Sequence, residues 1–223
     1  MRLSTTSLAA VLALTLSGPA STQQPDSTAF AEEFDGAWDA RWEAQRLATR
    51  ANRHGVDLDD GVDPVLRLDS RRAASALVRR VVFDAPRRGF LSWRWKVMGT
   101  VGAGRDPRKK SGDDFAARVF VVFDDDFGSG GARAVCYVWS ADQPLGATFP
   151  SPYTDRVAII VVESGDAAAG RWSRVRRNFI DDYTTFFGDT PKTITGVALM
   201  TDTDNTASAT TSFFDDIRFF VAR

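Results

Sequence analysis

The chain has 223 residues, with 28 Lys and Arg against 29 Asp and Glu and a formal net charge of −1. Hydrophobic residues make up 43% and charged residues 26%, an ordinary globular profile, and the length allows one large domain with a core that needs no cross-links. The even balance excludes a global field directed at nucleic acid or an anionic membrane. The single cysteine, Cys136, excludes an intrachain disulfide and a thiolate metal cluster. A Cys-His nucleophile or a Ser-His-Asp triad would depend wholly on His54, the one histidine, in a polar stretch.

At the N-terminus Met1-Arg2 precedes the apolar run Leu8 to Leu16 and the small residues Ser17-Gly18-Pro19-Ala20-Ser21. This pattern predicts a secretory signal peptide over residues 1–20, cut near Ala20, and an exported protein, periplasmic or secreted. The run is too short for a membrane span, and no later segment is a candidate. Residues 21–30 are small and polar and read as a linker. Residues 31–223 read as a single domain.

From Phe34 onward the apolar pattern has period two. Strands are expected at Trp38–Arg46, Val65–Asp69, Ala76–Phe83, Phe90–Val97, Phe115–Phe123, Ala134–Ser140, Val157–Glu163, Trp172–Asn178, Ile194–Met200 and Ser212–Val221. Gly, Asp and Pro clusters separate them. One short helix is expected at Ile180–Phe187, with Asp181 and Asp182 in its first turn, where carboxylates complement the helix dipole. Many strands with regular turns predict an all-β antiparallel sandwich of jelly-roll type.

Three strands carry further information. In Phe90–Val97 the parity Leu91, Trp93, Trp95, Val97 predicts a buried face, opposite Ser92, Arg94 and Lys96. In Phe115–Phe123 both parities are apolar except for Arg118, which predicts a central strand covered on both sides and a guanidinium that needs a carboxylate or a wet groove. In the last strand Asp215 shares its parity with Phe213, Ile217, Phe219 and Val221, which places a carboxylate among core positions.

The chemistry-bearing candidates follow from these faces. Asp202, Asp204 and Asn205, directly after an apolar strand, supply the oxygen ligands calcium uses, or else an Asx-rich turn; the glycine and distant glutamate of an EF-hand are missing. Asp113 and Asp114 point to opposite faces of a strand, so a structural pair with Arg118 is favoured over acid/base catalysis. Tyr137 and Trp139 share one face and serve either a core or a sugar-stacking platform. Arg171 to Arg177 alternates basic groups with Trp172, a nucleic-acid pattern that the net charge of −1 and the export signal oppose. Glu33 and Asp35 near the start, with Asp215 near the end, would meet if the terminal strands are neighbours, and could share a calcium or pair with arginines. Gly-x-Ser-x-Gly, His-Glu-x-x-His and phosphate-loop signatures are absent.

Five segments carry a family resemblance: Trp93-Arg94-Trp95-Lys96-Val97, Gly112 to Val119, Tyr137-Val138-Trp139-Ser140, Arg177-Asn178-Phe179 with Asp182-Tyr183, and Met200 to Thr206. In this order they resemble the bacterial domain-of-unknown-function family 3047 from about residue 30 to the C-terminus. The resemblance implies no particular activity. Asp215-Asp216-Ile217 and Glu33-Phe34-Asp35 are loosely similar to the terminal strands of calcium-containing jelly-roll carbohydrate-binding modules, which motivates a structural Ca²⁺.

The leading expectation is a non-catalytic module for a poly- or oligosaccharide, using Lys96, Asp113, Arg118, Tyr137, Trp139, Arg177, Asp202, Asp204 and Asn205, with no nucleic-acid partner. The alternatives are a polysaccharide hydrolase or lyase with Lys96 or an Asp as base, and a structural or partner-binding envelope protein in which all these groups are internal pairs.

Overall fold

The computed structural model describes residues 27–59, 61–85, 88–124 and 132–222. The expected signal peptide lies outside the described residues. Among the described residues, thirteen strands form two stacked sheets, with one α-helix at the rim.

The first sheet contains β1 (Ser27–Glu32), β3 (Arg53–Asp59), β4 (Asp63–Arg71), β6 (Arg88–Val97), β11 (Ser173–Asn178) and β13 (Ala209–Ala222). Its order is β11-β6-β13-β4-β3. The long β13 pairs with β6 along one side; on the other it meets β4 with its first half and β1 with its second. The terminal strands are therefore neighbours. The second sheet runs β2-β5-β12-β7-β8-β10-β9, from β2 (Glu43–Arg46), β5 (Ala74–Asp84), β7 (Ala117–Asp124), β8 (Arg133–Ser140), β9 (Thr148–Ser151), β10 (Thr154–Ser164) and β12 (Thr193–Asp202). Every pairing is antiparallel except β8 with β10, which is parallel and makes this sheet mixed.

The core lies between the sheets. Leu91, Trp93, Trp95 and Val97 of β6 face Val119, Val121 and Phe123 of β7 and Val135, Tyr137 and Trp139 of β8, all buried. β7 is central, and its other face is covered as well: Phe120 packs against two smaller apolar clusters on the outside of the second sheet. Those clusters contain Phe115, Cys136, Val138 and Phe149, and Ala74, Ala76 and Met200. The helix α1 (Phe179–Phe187) follows β11 directly. The Asn178 side chain accepts from the Asp181 N–H at its start, and Gly188, at φ 82°, closes its end in the left-handed region.

Three strands lie where the sequence pattern shows none. Ser27–Phe30, expected in the linker, belong to β1. β3 reads as a polar loop because Arg53-His54-Gly55-Val56-Asp57-Leu58-Asp59 is an edge strand with little to bury. β9 is only four residues long.

The parity argument for Asp215 also needs correction. A bulge between Asp215 and Arg218, with Asp216 at φ 55°, shifts the strand's phase. Phe214 points into the core before the bulge, and Ile217 and Phe219 after it, while Asp215 stays on the outer face with Phe213. Aspartate is one of the few residues that enters this backbone region cheaply.

Candidate functional site

The two outward faces differ in kind. That of the second sheet is apolar and largely covered. That of the first sheet is polar and open. Cross-strand register sets its rows: Arg53, Asp69 and Thr211 form one, Gly55, Arg67, Phe213 and Lys96 the next, and Asp215, Arg94 and Arg174 a third.

This face is concave. β3 and β6 are separated by β4 and β13, three strand spacings or about 14 Å on a flat sheet. Yet Lys96 Nζ donates to Asp59 Oδ1 at 3.0 Å, and the Trp172 indole N–H donates to Asp59 Oδ2. The end of the β3–β4 hairpin must therefore arch over the face to bring Asp59 within reach. Val65 shares the outward parity of Arg67 and Asp69 but is buried at the root of this arch.

Under the arch sits a cation-aromatic cluster. The Arg94 guanidinium lies 4.6 Å from the Trp172 ring centre. The Lys96 ammonium lies 4.9 Å from the same ring and 4.7 Å from Phe213. Arg94 Nη2 bonds Asp215 at 2.6 Å, and Asp59 completes the charge balance. Burial pushes the Asp59 carboxyl up, but the hydrogen bonds from Lys96 and Trp172 and the nearby positive charges outweigh it and hold Asp59 below the usual aspartate value. Beyond the cluster the face opens into a cleft of about 730 Å³, whose lining includes Arg50, Arg53, Arg67, Arg71, Met98 and Thr211.

A second assembly lies at one end of β7 and β12. Arg118 is buried, as its apolar row demands, and it finds carboxylates rather than a wet groove. Its Nε donates to Asp202 Oδ1 at 2.9 Å, its Nη2 to Asp202 Oδ2 and to the Asp113 carbonyl at 2.7 Å, and its Nη1 to Asp113 Oδ1 at 3.4 Å. Phe115 N–H adds a bond to Asp202 Oδ1, and the Phe115 ring packs on the guanidinium. Asp114 faces elsewhere and accepts from the backbone and side chains of Asn205 and Thr206. Gly112 sets up this turn, since a Cβ there would lie 2.4 Å from the Asp106 carbonyl.

Asp114, Asp202 and Asp204 offer oxygens within 4.8 Å of one another and could hold a metal ion. Asp113 lies beside them, and of these four aspartates Asp202 and Asp113 bond the Arg118 guanidinium. Burial pushes Asp202 up to about 7, against the pull of Arg118, and Asp113 and Asp204 also stand above the ordinary value. Asp204 Oδ1 is buried without a hydrogen-bond partner.

The structure gathers Asp113, Arg118, Asp202, Asp204 and Asn205 as the sequence suggests, but Arg118 and Asp202 are buried and satisfy each other. Lys96 lies elsewhere, on the concave face. Tyr137 and Trp139 cannot stack on a sugar, because both are fully buried between the sheets. The Tyr137 hydroxyl donates to Asp182 at 2.7 Å, and the Trp139 indole N–H to the Gly165 carbonyl at 3.0 Å. Arg177 is held by the same Asp182.

Glu33, Asp35 and Asp215 do not form a metal cluster among the described residues. Glu33 pairs with Arg218, Asp215 with Arg94, and the Asp35 carbonyl accepts from Arg41. It is Glu32, not Glu33, whose carboxylate is buried, accepting from Arg41, the Trp42 indole and Phe34 N–H. Cys136 is buried, its thiol is pushed up to about 12 by desolvation, and His54 belongs to the other sheet, so the two form no pair.

Sequence reasoning missed Asp59, Phe213 and the cleft arginines as site residues. The clue was available: polar side chains at every second position of two strands, Arg67-Asp69-Arg71 and Arg94-Lys96, on faces opposite core residues.

Two stacked sheets with a concave polar face define a jelly-roll β-sandwich. Residues 40–218 match the family described as protein of unknown function (DUF3047), and the chain belongs to it. A search of curated proteins gives no match. Among solved structures, the chain is similar to the cellulose induced protein Cip1, with a TM-score of 0.52, 10% identity, and coverage of 85% of this chain and 96% of that one. It is also similar to a family 30 carbohydrate-binding module of a Clostridium thermocellum cellulase, with a TM-score of 0.43, 14% identity, and coverage of 88% and 94%. A xylan-binding domain of Paenibacillus barcinonensis Xyn10C gives a TM-score of 0.44 and 10% identity, with coverage of 86% and 99%. At 10% identity the likeness to Cip1 speaks for the fold alone.

Proposed function

We propose that this protein is an exported, non-catalytic glycan-binding β-sandwich that takes a poly- or oligosaccharide on the concave face of its first sheet. The observation that carries the reading is the cluster beneath the β3–β4 arch. Half-buried Trp172 and Phe213 offer apolar ring surface, and Asp59, Lys96 and Arg94 are already oriented around them. Sugars need both kinds of group, an apolar platform for the ring face and fixed donors and acceptors for the hydroxyls. The outward face of the first sheet brings both together in one cluster. In this reading Lys96 keeps its binding role, and Arg118 and Asp202 act as structure.

A calcium ion would belong on Asp114, Asp202 and Asp204. It would neutralise a cluster in which Arg118 pairs with Asp202 and Asp113 and leaves Asp114 and Asp204 without a cation in ion-pair contact among the described residues, and it would be structural.

The test is affinity electrophoresis of the mature protein against plant and envelope polysaccharides, with product release followed in parallel. Retardation by at least one glycan is expected, weakened tenfold or more by Trp172→Ala or Phe213→Ala, without released product. Absence of retardation by every glycan, or retardation unchanged in both variants, would overturn the reading.

A further inference from the structure

We infer that the cleft at the open end of the concave face selects a saccharide bearing acidic groups, a uronate carboxylate or a sulfate ester. This rests on the glycan-binding reading and deepens it. The charges on the two halves of the face differ. Under the arch, Arg94 and Lys96 are matched by Asp59, Asp215 and Asp216. The cleft is lined by four arginines, Arg50, Arg53, Arg67 and Arg71, and by one carboxylate, Asp69.

That carboxylate is already engaged. Arg67 holds Asp69 at 3.1 Å and Asp57 at 3.0 Å, and Thr211 donates a further bond to Asp69. Arg50, Arg53 and Arg71 are exposed, with no carboxylate in ion-pair contact among the described residues. Arg72 continues the row in an adjoining hollow with Arg50 and Arg71.

In a chain with a net charge of −1, this is a local concentration of positive charge rather than a reflection of composition. A guanidinium presents a planar fork of donors that matches a carboxylate or a sulfate. Arg53 lies across from Asp69 and feels its charge without an ion-pair contact, while Arg50 and Arg71 stand on the exposed rim of the cleft. Arg67 and Arg71 stand four residues apart on β4, about 13 Å along the strand, so the positive row is long enough for several sugar units. Asp57 and Asp69 border the same row. Their remaining lone pairs are available to sugar hydroxyls, as the glycan-binding reading requires.

The experiment compares matched pairs in which only the charge differs: polygalacturonate with its methyl ester, and dextran sulfate with dextran. Single-stranded DNA is included as a general polyanion, and each is titrated calorimetrically at low and physiological salt. The expected result is at least tenfold tighter binding of one acidic member than of its neutral partner. The double variant Arg53→Gln, Arg71→Gln loses that preference and keeps the wild-type melting temperature. Preference for polygalacturonate identifies a uronate, and preference for dextran sulfate a sulfate ester.

Equal binding of charged and neutral partners overturns the inference and leaves the glycan-binding reading standing. DNA bound as tightly as the acidic glycans overturns it as mere polyanion attraction. Binding of no member, together with no retardation across the wider glycan panel, overturns both.

Discussion

Arg118→Met removes the cation that pairs with the buried Asp202 and Asp113 while keeping an unbranched apolar stem. The guanidinium makes two bonds to Asp202 and two more to Asp113 and its carbonyl, all shielded from water. Breaking a buried ion pair by deleting one partner costs about 3–5 kcal/mol, because the remaining charge is left uncompensated. For a domain of this size each kcal/mol moves the melting temperature by about 2–4 °C, so a drop of about 6–20 °C is expected at pH 8. The loss should shrink at pH 5. Asp202 stands near 7 even with Arg118 in place, so without it the carboxyl takes up a proton and sheds the uncompensated charge. The double variant Arg118→Met, Asp202→Leu should recover much of the stability, since an apolar pair replaces the ionic one. Thermal melts by circular dichroism in EDTA at the two pH values measure all of this. A loss at pH 8 below about 1 kcal/mol, or one that does not change with pH, would refute the reasoning and return Arg118 to the candidates for ligand contact.

Two further predictions concern charge. Calcium at 100 times its dissociation constant should stabilise the protein by about 2.7 kcal/mol, with the rise abolished by Asp204→Asn. In EDTA, Asp202 contributes stability that is fully present below the unfolded value of 3.8 and is lost as the pH rises through about 7, so the calcium-induced rise in melting temperature should be larger at pH 8 than at pH 5. Asp59 has the opposite sign. Its folded value is lowered, so its contribution is present above 3.8 and lost as the pH falls below that value. The fluorescence difference between wild type and Trp172→Phe should therefore titrate with a midpoint below 3.8, and Asp59→Asn should remove the transition. A midpoint near or above 4 would contradict the contacts of Asp59 with Lys96 and Trp172.

The core was readable because its signal is repeated. Leu91-Trp93-Trp95-Val97 and the doubly apolar β7 can occupy only a buried face and a central position, and both do. α1 was readable from its first-turn aspartates. Asp215 was misplaced because strict alternation assumes an unbroken ladder, and one bulge at Asp215/Asp216 reverses it. β3 was invisible because an edge strand that donates side chains to a polar face buries little. That Arg118 needs a carboxylate or a wet groove followed from its neighbours alone, but the choice of Asp202, 84 residues away, depends on β7 and β12 lying side by side. The concave site was the least legible part. Asp59 reaches Lys96 only because the hairpin arches, and curvature has no local signature in the sequence.

The same features explain why the two polar assemblies have different roles. Arg118 sits on the outward parity of a sheet whose outer surface is closed by Phe115, Val138 and Phe149, so its charge had to be matched internally. Arg94 and Lys96 occupy the corresponding parity of the first sheet, where no apolar layer lies above them, and they are matched only in part by the arching hairpin. Where the arch ends, the matching ends too, and the arginines of the cleft are left facing solvent. A protein that needed only to be stable gains nothing from gathering four arginines beside two carboxylates that Arg67 already engages, since their repulsion opposes folding. The arrangement becomes favourable when an external anion supplies the missing charge.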